Sequence, residues 1–324
     1  MQVLRYYSLY KKEWDSFVDK CAIQSFLYKR DFIEYHADRY DDFSFIVIAK
    51  GRIIALCPAN IKDGIVYSHQ GLTYGGIIYD NELSLEAIVI IIRNILINLK
   101  QLNVDQFFLK CAPRFYHLRP ADELDWILFK VKAKLYRRDT ALAIDNRVKH
   151  LPYQERRRRA IKKAGKNNIA LKQGFAELAP FWNEVLIPNL QAKHGVAPVH
   201  SLAEIELLAS LFPENILQHT IYMDDTIVAG CTIFLNTNVA HAQYISGTEL
   251  GRNSGCLDYL FDHLIRNVYA SYPYFDFGIC NEQNGEMINK GLLDWKEGFG
   301  ARTIVHDFYE IDTASYKFLE NYTT

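Results

Sequence analysis

The sequence predicts a mixed α/β (α+β) chain built from two similar modules, each a twisted mixed β-sheet flanked by helices. Three observations predict it. The order hairpin, strand, helix, strand can be read twice along the chain. A length of 324 residues is ordinary for two domains. A hydrophobic content of 49% with 14% aromatics supplies apolar surface for two cores, and 23% charged residues at a formal net charge of −1 exclude a disordered or uniformly basic chain.

In the first module, Phe43–Ala49 and Ile53–Ala59 are apolar runs joined at Gly51-Arg52, which predicts a β-hairpin. Leu83–Leu102 follows as a helix, because Ala87, Ile88, Ile91, Ile92, Ile95 and Leu99 recur at helical spacing despite their many β-branched side chains. Gln106–Cys111 predicts the next strand. In the second module the hairpin is Leu217–Tyr222 and Ile227–Phe234 around Asp224-Asp225. A strand at His241–Ser246 and a helix at Cys256–Tyr269 come next, with Leu257, Leu260, Phe261, Leu264, Ile265 and Val268 on one face, then a strand at Tyr274–Ile279. The boundary is expected between Ala141 and Pro152, dividing residues 1–146 from 147–324. A basic helix, Tyr153–Lys166, and a short strand, Ile169–Lys172, open the second module.

Cys21, Cys57, Cys111, Cys231, Cys256 and Cys280 contain no CxxC pair, so no metal is expected, and they read as buried thiols of a reducing compartment. Met1–Trp14 lacks the apolar segment of a signal peptide. The longest apolar run, Ala87–Ile92, is far short of the ~20 residues that span a bilayer. The expected location is cytoplasmic, with no transmembrane segment.

The stretch Tyr274–Ala301, YFDFGICNEQNGEMINKGLLDWKEGFGA, carries a strand ending in Asp276-Phe277-Gly278, then Gly291-Leu292, then Trp295, Lys296, Gly298, Phe299 and Gly300. This order and spacing resembles the Fem-type peptidoglycan-bridge transferases and their GNAT relatives. Arg158–Ile169 is similar to the arginine-rich helix that opens the family's second module, and Tyr74–Ile77 to the glycine pair of its first. The matches touch both halves, so the resemblance implies tandem GNAT-like modules and acyl transfer. The long antiparallel helical arm of some Fem-type enzymes has no counterpart here. The acyl-CoA signature Gln/Arg-x-x-Gly-x-Gly/Ala is met by Arg252-Asn253-Ser254-Gly255-Cys256-Leu257 in its first four positions and not in its last.

Acyl transfer to an amine needs a held donor, a neutral amine and a stabilised oxyanion. The resemblance implies that Arg252, Asn253, Ser254, Gly255 and Cys256 form a strand-to-helix turn whose amides cradle the donor pyrophosphate; the alternative is a plain turn. On the preceding strand, alternation puts His241 and Gln243 on one face and Tyr244 and Ser246 on the other. His241 and Asp276 are candidate bases, and Tyr244 a candidate to hold the acceptor or protonate the leaving thiolate. Each also has a purely structural reading: a satisfied strand histidine, a carboxylate accepting loop amides, a packed aromatic. For the acceptor, the resemblance points to Arg158 and Lys296 as a cationic clamp on phosphate, with Lys290 and Trp295 beside it and His200 and Ser201 near the acceptor; solvated surface charge is the alternative.

The function these readings predict is an N-acyltransferase moving an acyl group from acetyl-CoA or another acyl-CoA, as co-substrate, to an amine. The acceptor class is a small molecule or a lipid- or nucleotide-linked amine, such as an amino sugar or a cell-envelope precursor. The alternative is an aminoacyl-transfer-RNA-dependent Fem-type transferase acting on a cell-wall precursor, which the basic helix favours. A non-catalytic phosphosugar- or RNA-binding module is disfavoured by the intact glycine turns and Asp-Phe-Gly loop.

Overall fold

The computed structural model describes residues 1–322, and contacts divide them into two units. The first holds Met1–Asp139, Asn284–Glu286 and the chain from Val305 onward; the second holds Thr140–Gln283 and Met287–Ile304. The cut therefore falls at Asp139, earlier than the expected 146, and the C-terminal segment returns to the first unit.

The first unit begins with β1 (Gln2–Arg5) and α1 (Lys11–Val18). The expected hairpin follows as β2 (Phe45–Ala49) and β3 (Arg52–Cys57), turned by Lys50 and Gly51 at φ +50° and +74°. After β4 (Ile65–Tyr67) and β5 (Ile78–Tyr79) comes α2 (Leu85–Gln101), whose first turn is capped by Ser84 accepting from the Ala87 amide at 3.3 Å. Ile88, Ile91, Ile92, Ile95 and Leu99 are all buried along it. Burying such a side chain is worth ~1.5–3 kcal/mol, against at most ~0.7 kcal/mol lost to poor helix propensity, so the packing decides. β6 (Gln106–Lys110), α3 (Glu123–Lys130) and β7 (Lys134–Asp145) complete the run. β1, β2, β3 and β5 pair antiparallel in one sheet. β4 and β6 run parallel, pairing Val66 with Phe107 and Tyr67 with Phe108.

The second unit opens with α4 (Glu155–Ala164) and β8 (Ile169–Gln173). A helical run from Leu178, with a π turn at Phe181–Leu186, leads to α5 (Leu202–Leu211). The hairpin β9 (Ile216–Met223) and β10 (Thr226–Leu235) and the strand β11 (Val239–Gly247) follow. The expected helix Cys256–Tyr269 is found as α7 (Cys256–His263) continued by a π turn at Leu264–Val268, and a further helix, α6 (Glu249–Ser254), precedes it and meets it at Gly255, φ +83°. β12 (Tyr274–Ile279), α8 (Lys290–Glu297) and β13 (Arg302–Asp312) end the fold. The sheet order is β8-β9-β10-β11-β12-β7, with β7 contributing its residues from Thr140 on. All neighbours are antiparallel except β11 and β12. One face packs Ala240, Ala242, Phe275 and Phe277 against Leu260, Phe261 and Leu264 of the helical layer. The residues of β13 from Val305 pair with β6, Phe308 opposite Lys110, within the first unit.

Candidate functional site

The site begins where two strands part. β11 and β12 pair in parallel at Val239–Tyr274, Ala240–Phe275 and His241–Asp276, and no further residues of the two strands pair. Beyond that point β11 runs on to Gly247 and β12 to Ile279. At the parting, His241 Nδ1 lies 2.7 Å from Asp276 Oδ2. Both side chains are nearly buried, at 10% and 3% exposed. An ionised carboxylate only accepts, so Nδ1 carries the proton and Nε2 is the basic nitrogen. Asp276 is held from its other oxygen by the Gly278 amide, which donates to Oδ1 at 2.8 Å. Gly278 adopts φ +72°, and a Cβ there would lie 3.3 Å from His241 Cε1. Sequence reasoning named His241 and Asp276 separately; a glycine inside a strand pattern, here Gly278, was the available signal that the strand breaks beside them.

Alternation fails on β11 for a physical reason. Its register with β10 shifts between Tyr244, opposite Thr232, and Ala242, opposite Ile233. Gln243 is the extra residue of a β-bulge, and a bulge inverts which side chains share a face. His241, Tyr244 and Ser246 thus lie together on the face opposite the Ala240–Ala242 core, rather than on two faces. Tyr244 packs on Trp182 with ring centroids 5.0 Å apart, and Ser246 Oγ donates to Val185 O at 3.4 Å. His200 joins this face: its Nδ1 is 2.5 Å from the Tyr244 hydroxyl, and its amide donates to the same oxygen at 3.1 Å. Trp182 Nε1 in turn donates to the His200 carbonyl at 3.2 Å.

The other expected residues sit elsewhere. Arg252, Asn253 and Ser254 are the second half of α6, not an open strand-to-helix turn. The Arg252 amide donates to Thr248 O at 3.0 Å and the Gly255 amide to Arg252 O at 3.2 Å, while the Arg252 guanidinium bonds Gly247 O and Asn189 Oδ1. Gly255 is pressed on α4: a Cβ would lie 2.3 Å from Ala160 O. Cys256 opens α7, and its thiol accepts from Ser254 Oγ at 3.1 Å. Ser201 caps α5 in a reciprocal capping box with Glu204. Lys290 is exposed at the first position of α8. Trp295 Nε1 donates to Asp258 Oδ1 at 3.2 Å, and its ring joins Phe261 and Phe299.

Arg158 and Lys296 do not form a clamp. Arg158 is 63% exposed and pairs with Glu155 on its own helix. Lys296 is buried, and its Nζ donates to Gly278 O at 3.0 Å and Ile279 O at 2.8 Å. The arginine that turns inward is Arg157, which pairs with Asp258.

In the first unit the glycine pair Gly75-Gly76 lines a cavity of about 260 Å³ with Cys111, Arg114, Arg138 and Asp307. Its arginines are already engaged: Arg138 grips Asp307 at 2.6 and 2.7 Å, and Arg114 bonds Asp125 at 2.9 Å. Among the described residues no group of three or more His, Cys, Asp or Glu could hold a metal ion, and no helix is long and apolar enough to cross a membrane. The six cysteines are free thiols.

Residues 153–297 match the family model described as an acetyltransferase (GNAT) domain. No curated protein matches the chain in sequence. Among solved structures, FemX superposes with a TM-score of 0.67 at 10% identity, over 99% of this chain and 100% of that one. The C-terminal domain (DUF2156) of a proposed lysylphosphatidylglycerol synthetase from Agrobacterium fabrum gives 0.62 at 10% identity, over 96% of this chain and 94% of that one. A tandem GNAT protein from the clavulanic acid biosynthesis pathway gives 0.52 at 8% identity, over 96% and 98%.

Proposed function

We propose that this chain, whose residues 153–297 match an acetyltransferase (GNAT) domain and which shares the fold of FemX and a tandem GNAT protein, is a GNAT-type acyltransferase that transfers an acyl group from acyl-CoA to the amine of a small or envelope-linked acceptor. The observation that carries the reading is the His241–Asp276 dyad at the parting of β11 and β12. In GNAT enzymes backbone donors on a splayed strand hold the donor, and this parting is such a splay. His241 Nε2 takes a proton from the acceptor ammonium, and Asp276 steadies the imidazolium that results. The neutral amine attacks the thioester carbonyl, the nitrogen gives up its second proton as the C–S bond breaks, and that proton passes to the leaving thiolate, which departs as CoA. Tyr244, on the same face and bonded to His200, is the group that returns that proton. The donor phosphates are assigned to the segment after β11, where within Arg252–Cys256 the side chains of Arg252 and Asn253 remain the candidates, since Ser254 and Cys256 are buried and Gly255 is pressed on α4.

Amino sugars and cell-envelope precursors are the acceptor class proposed, supported by the description of one similar fold as a lysylphosphatidylglycerol synthetase. A second reading has its own observation. Arg158, Arg159, Lys162 and Lys163 are exposed on α4, with Lys166 exposed in the turn after it, a face suited to the phosphates of an aminoacyl-transfer RNA as donor. One experiment separates the two. Thermal unfolding is followed with acetyl-CoA, longer acyl-CoAs and charged transfer RNA in turn. Stabilisation by acyl-CoA alone supports the first reading; stabilisation by charged transfer RNA alone overturns it in favour of the second.

A further inference from the structure

Lysine is rarely buried without partners, yet Lys296 is only 2% exposed. Removing an ammonium from water is unfavourable unless acceptors replace the lost hydration. Here the acceptors are two consecutive carbonyls, Gly278 O and Ile279 O. In an extended strand successive carbonyls point in opposite directions. They converge on one ammonium here because β12 is broken: Gly278 has φ +72°, and the register with β7 shifts between Asp276 and Ile279.

The same break shapes the dyad. The Gly278 amide holds Asp276 Oδ1, which leaves Oδ2 for His241. The Gly278 α-carbon backs the imidazole so closely that a methyl group would press on Cε1. Lys296 itself is carried by a fixed frame, since its neighbour Trp295 packs on Phe261 and Phe299 at 4.9 and 5.3 Å between ring centroids. Burial lowers the Lys296 pKa, opposed by the nearby Cys280 and Asp276.

We propose that Lys296 is a positioning residue, whose ammonium clamps the Gly278 and Ile279 carbonyls and so fixes the Asp276 carboxylate that orients His241. It acts through backbone and carboxylate, not on a ligand phosphate. The inference rests on the dyad reading above, and it names what holds that dyad in register.

The test reads the dyad directly in the unliganded protein, by side-chain NMR of ¹⁵N-histidine. The Nδ1–H resonance of His241 is identified by its loss in His241→Gln. In Lys296→Met, which keeps the length and removes the charge, that resonance is expected to vanish or broaden while the far-ultraviolet circular dichroism stays native. Lys296→Arg, which can still donate to both carbonyls, is expected to keep it. A folded Lys296→Met with an unchanged resonance overturns the proposal. Should Lys296→Met not fold, Gly278→Ala probes the same break and is expected to displace the resonance; an unchanged signal there overturns the proposal as well. In turnover, Lys296→Met should lower kcat ~10- to 100-fold with little change in either KM, whereas a raised acceptor KM at full kcat would mark a ligand-binding lysine instead. Full acyl-transfer activity in His241→Gln would sink the dyad as catalyst, and the NMR result on Lys296 would still stand or fall by itself.

Discussion

His241 and Asp276 lie 35 residues apart in sequence and 2.7 Å apart in space. The pair carries a sharp expectation. His241→Gln removes the base and should lower kcat/KM for acyl transfer by ~10²- to 10⁴-fold, leaving the thermal shift with acyl-CoA intact. Asp276→Asn can donate to Nδ1 and favours the wrong tautomer, so a loss of similar order is expected. Steady-state kinetics on both variants, with folding checked by circular dichroism, is the measurement; a variant with full activity would remove its residue from the mechanism. Gly255 makes the opposite kind of prediction. Its φ of +83° and the 2.3 Å approach to Ala160 O leave no room for any side chain. Gly255→Asp is therefore expected to destabilise the fold by more than ~2 kcal/mol, read as a lowered urea midpoint, rather than to weaken donor binding in a folded protein. The sequence announced the chemistry-bearing types at these positions through the Asp-Phe-Gly and Arg-x-x-Gly patterns. It hid their geometry, because the bulge at Gln243 inverts the alternation that put His241 and Tyr244 on opposite faces, and because the aromatic-glycine frame around Lys296, Trp295 with Gly298, Phe299 and Gly300, hints at a buried turn without showing that the lysine reaches backbone carbonyls instead of a ligand phosphate.

Elements were legible where one local pattern decides them. Tyr274–Ile279 is a strand with the bounds its apolar run suggests, and α2 falls within two residues of its expected ends at each side. What no local pattern reveals is which unit an element joins. β13 carries no hairpin signal, and only its pairing with β6 shows that the chain end belongs with the first unit. The basic helix α4 was legible as a helix but not in the roles of its arginines. Arg157 pairs inward with Asp258, and Arg156 reaches Asp294. Arg158 and Lys162 then form an exposed pair at i, i+4 spacing, with Arg159 and Lys163 alongside. Like charges at that spacing each destabilise a helix by a few tenths of a kcal/mol. Lys162→Glu converts the Arg158–Lys162 repulsion into an attraction and is expected to raise stability by a few tenths of a kcal/mol, seen as a higher thermal midpoint that shrinks with added salt. A lowered midpoint would mean that a carboxylate in the last turn of α4, against the helix dipole, costs more than the attraction to Arg158 returns.

At the scale of the whole molecule, each unit buries a histidine that must stay neutral to remain folded. In the first unit His69 is stacked on His36, ring centroids 5.1 Å apart, and burial lowers its pKa to about 3, with His36, Arg30 and Lys110 adding to the shift. In the second unit His219 Nε2 lies 2.7 Å from the Tyr269 hydroxyl, and burial, helped by His263, lowers its pKa to about 4. An unfolded histidine titrates near 6.5. Below that pH the unfolded chain binds protons that the folded chain refuses, so stability falls as pH falls. The contribution is fully present above pH ~6.5 and is lost progressively down to the folded values, reaching about 2 kcal/mol per histidine by pH 5. Asp15 and Asp258 work in the other direction, since burial raises their pKa and lets the folded state take up a proton first. That uptake begins as pH falls through their raised folded values and is complete near the unfolded value of about 3.9, so it offsets part of the loss from the histidines. Urea unfolding at pH 7 and pH 5 should therefore show a lower midpoint at pH 5. Hydrogen exchange read by mass spectrometry should show both units losing protection, because each carries its own buried imidazole. His219→Gln keeps a hydrogen-bonding group beside Tyr269 and removes the titration, so the pH dependence should shrink in second-unit peptides and persist in first-unit peptides. A pH dependence that stays unchanged in that variant would assign the acid sensitivity to groups other than His219.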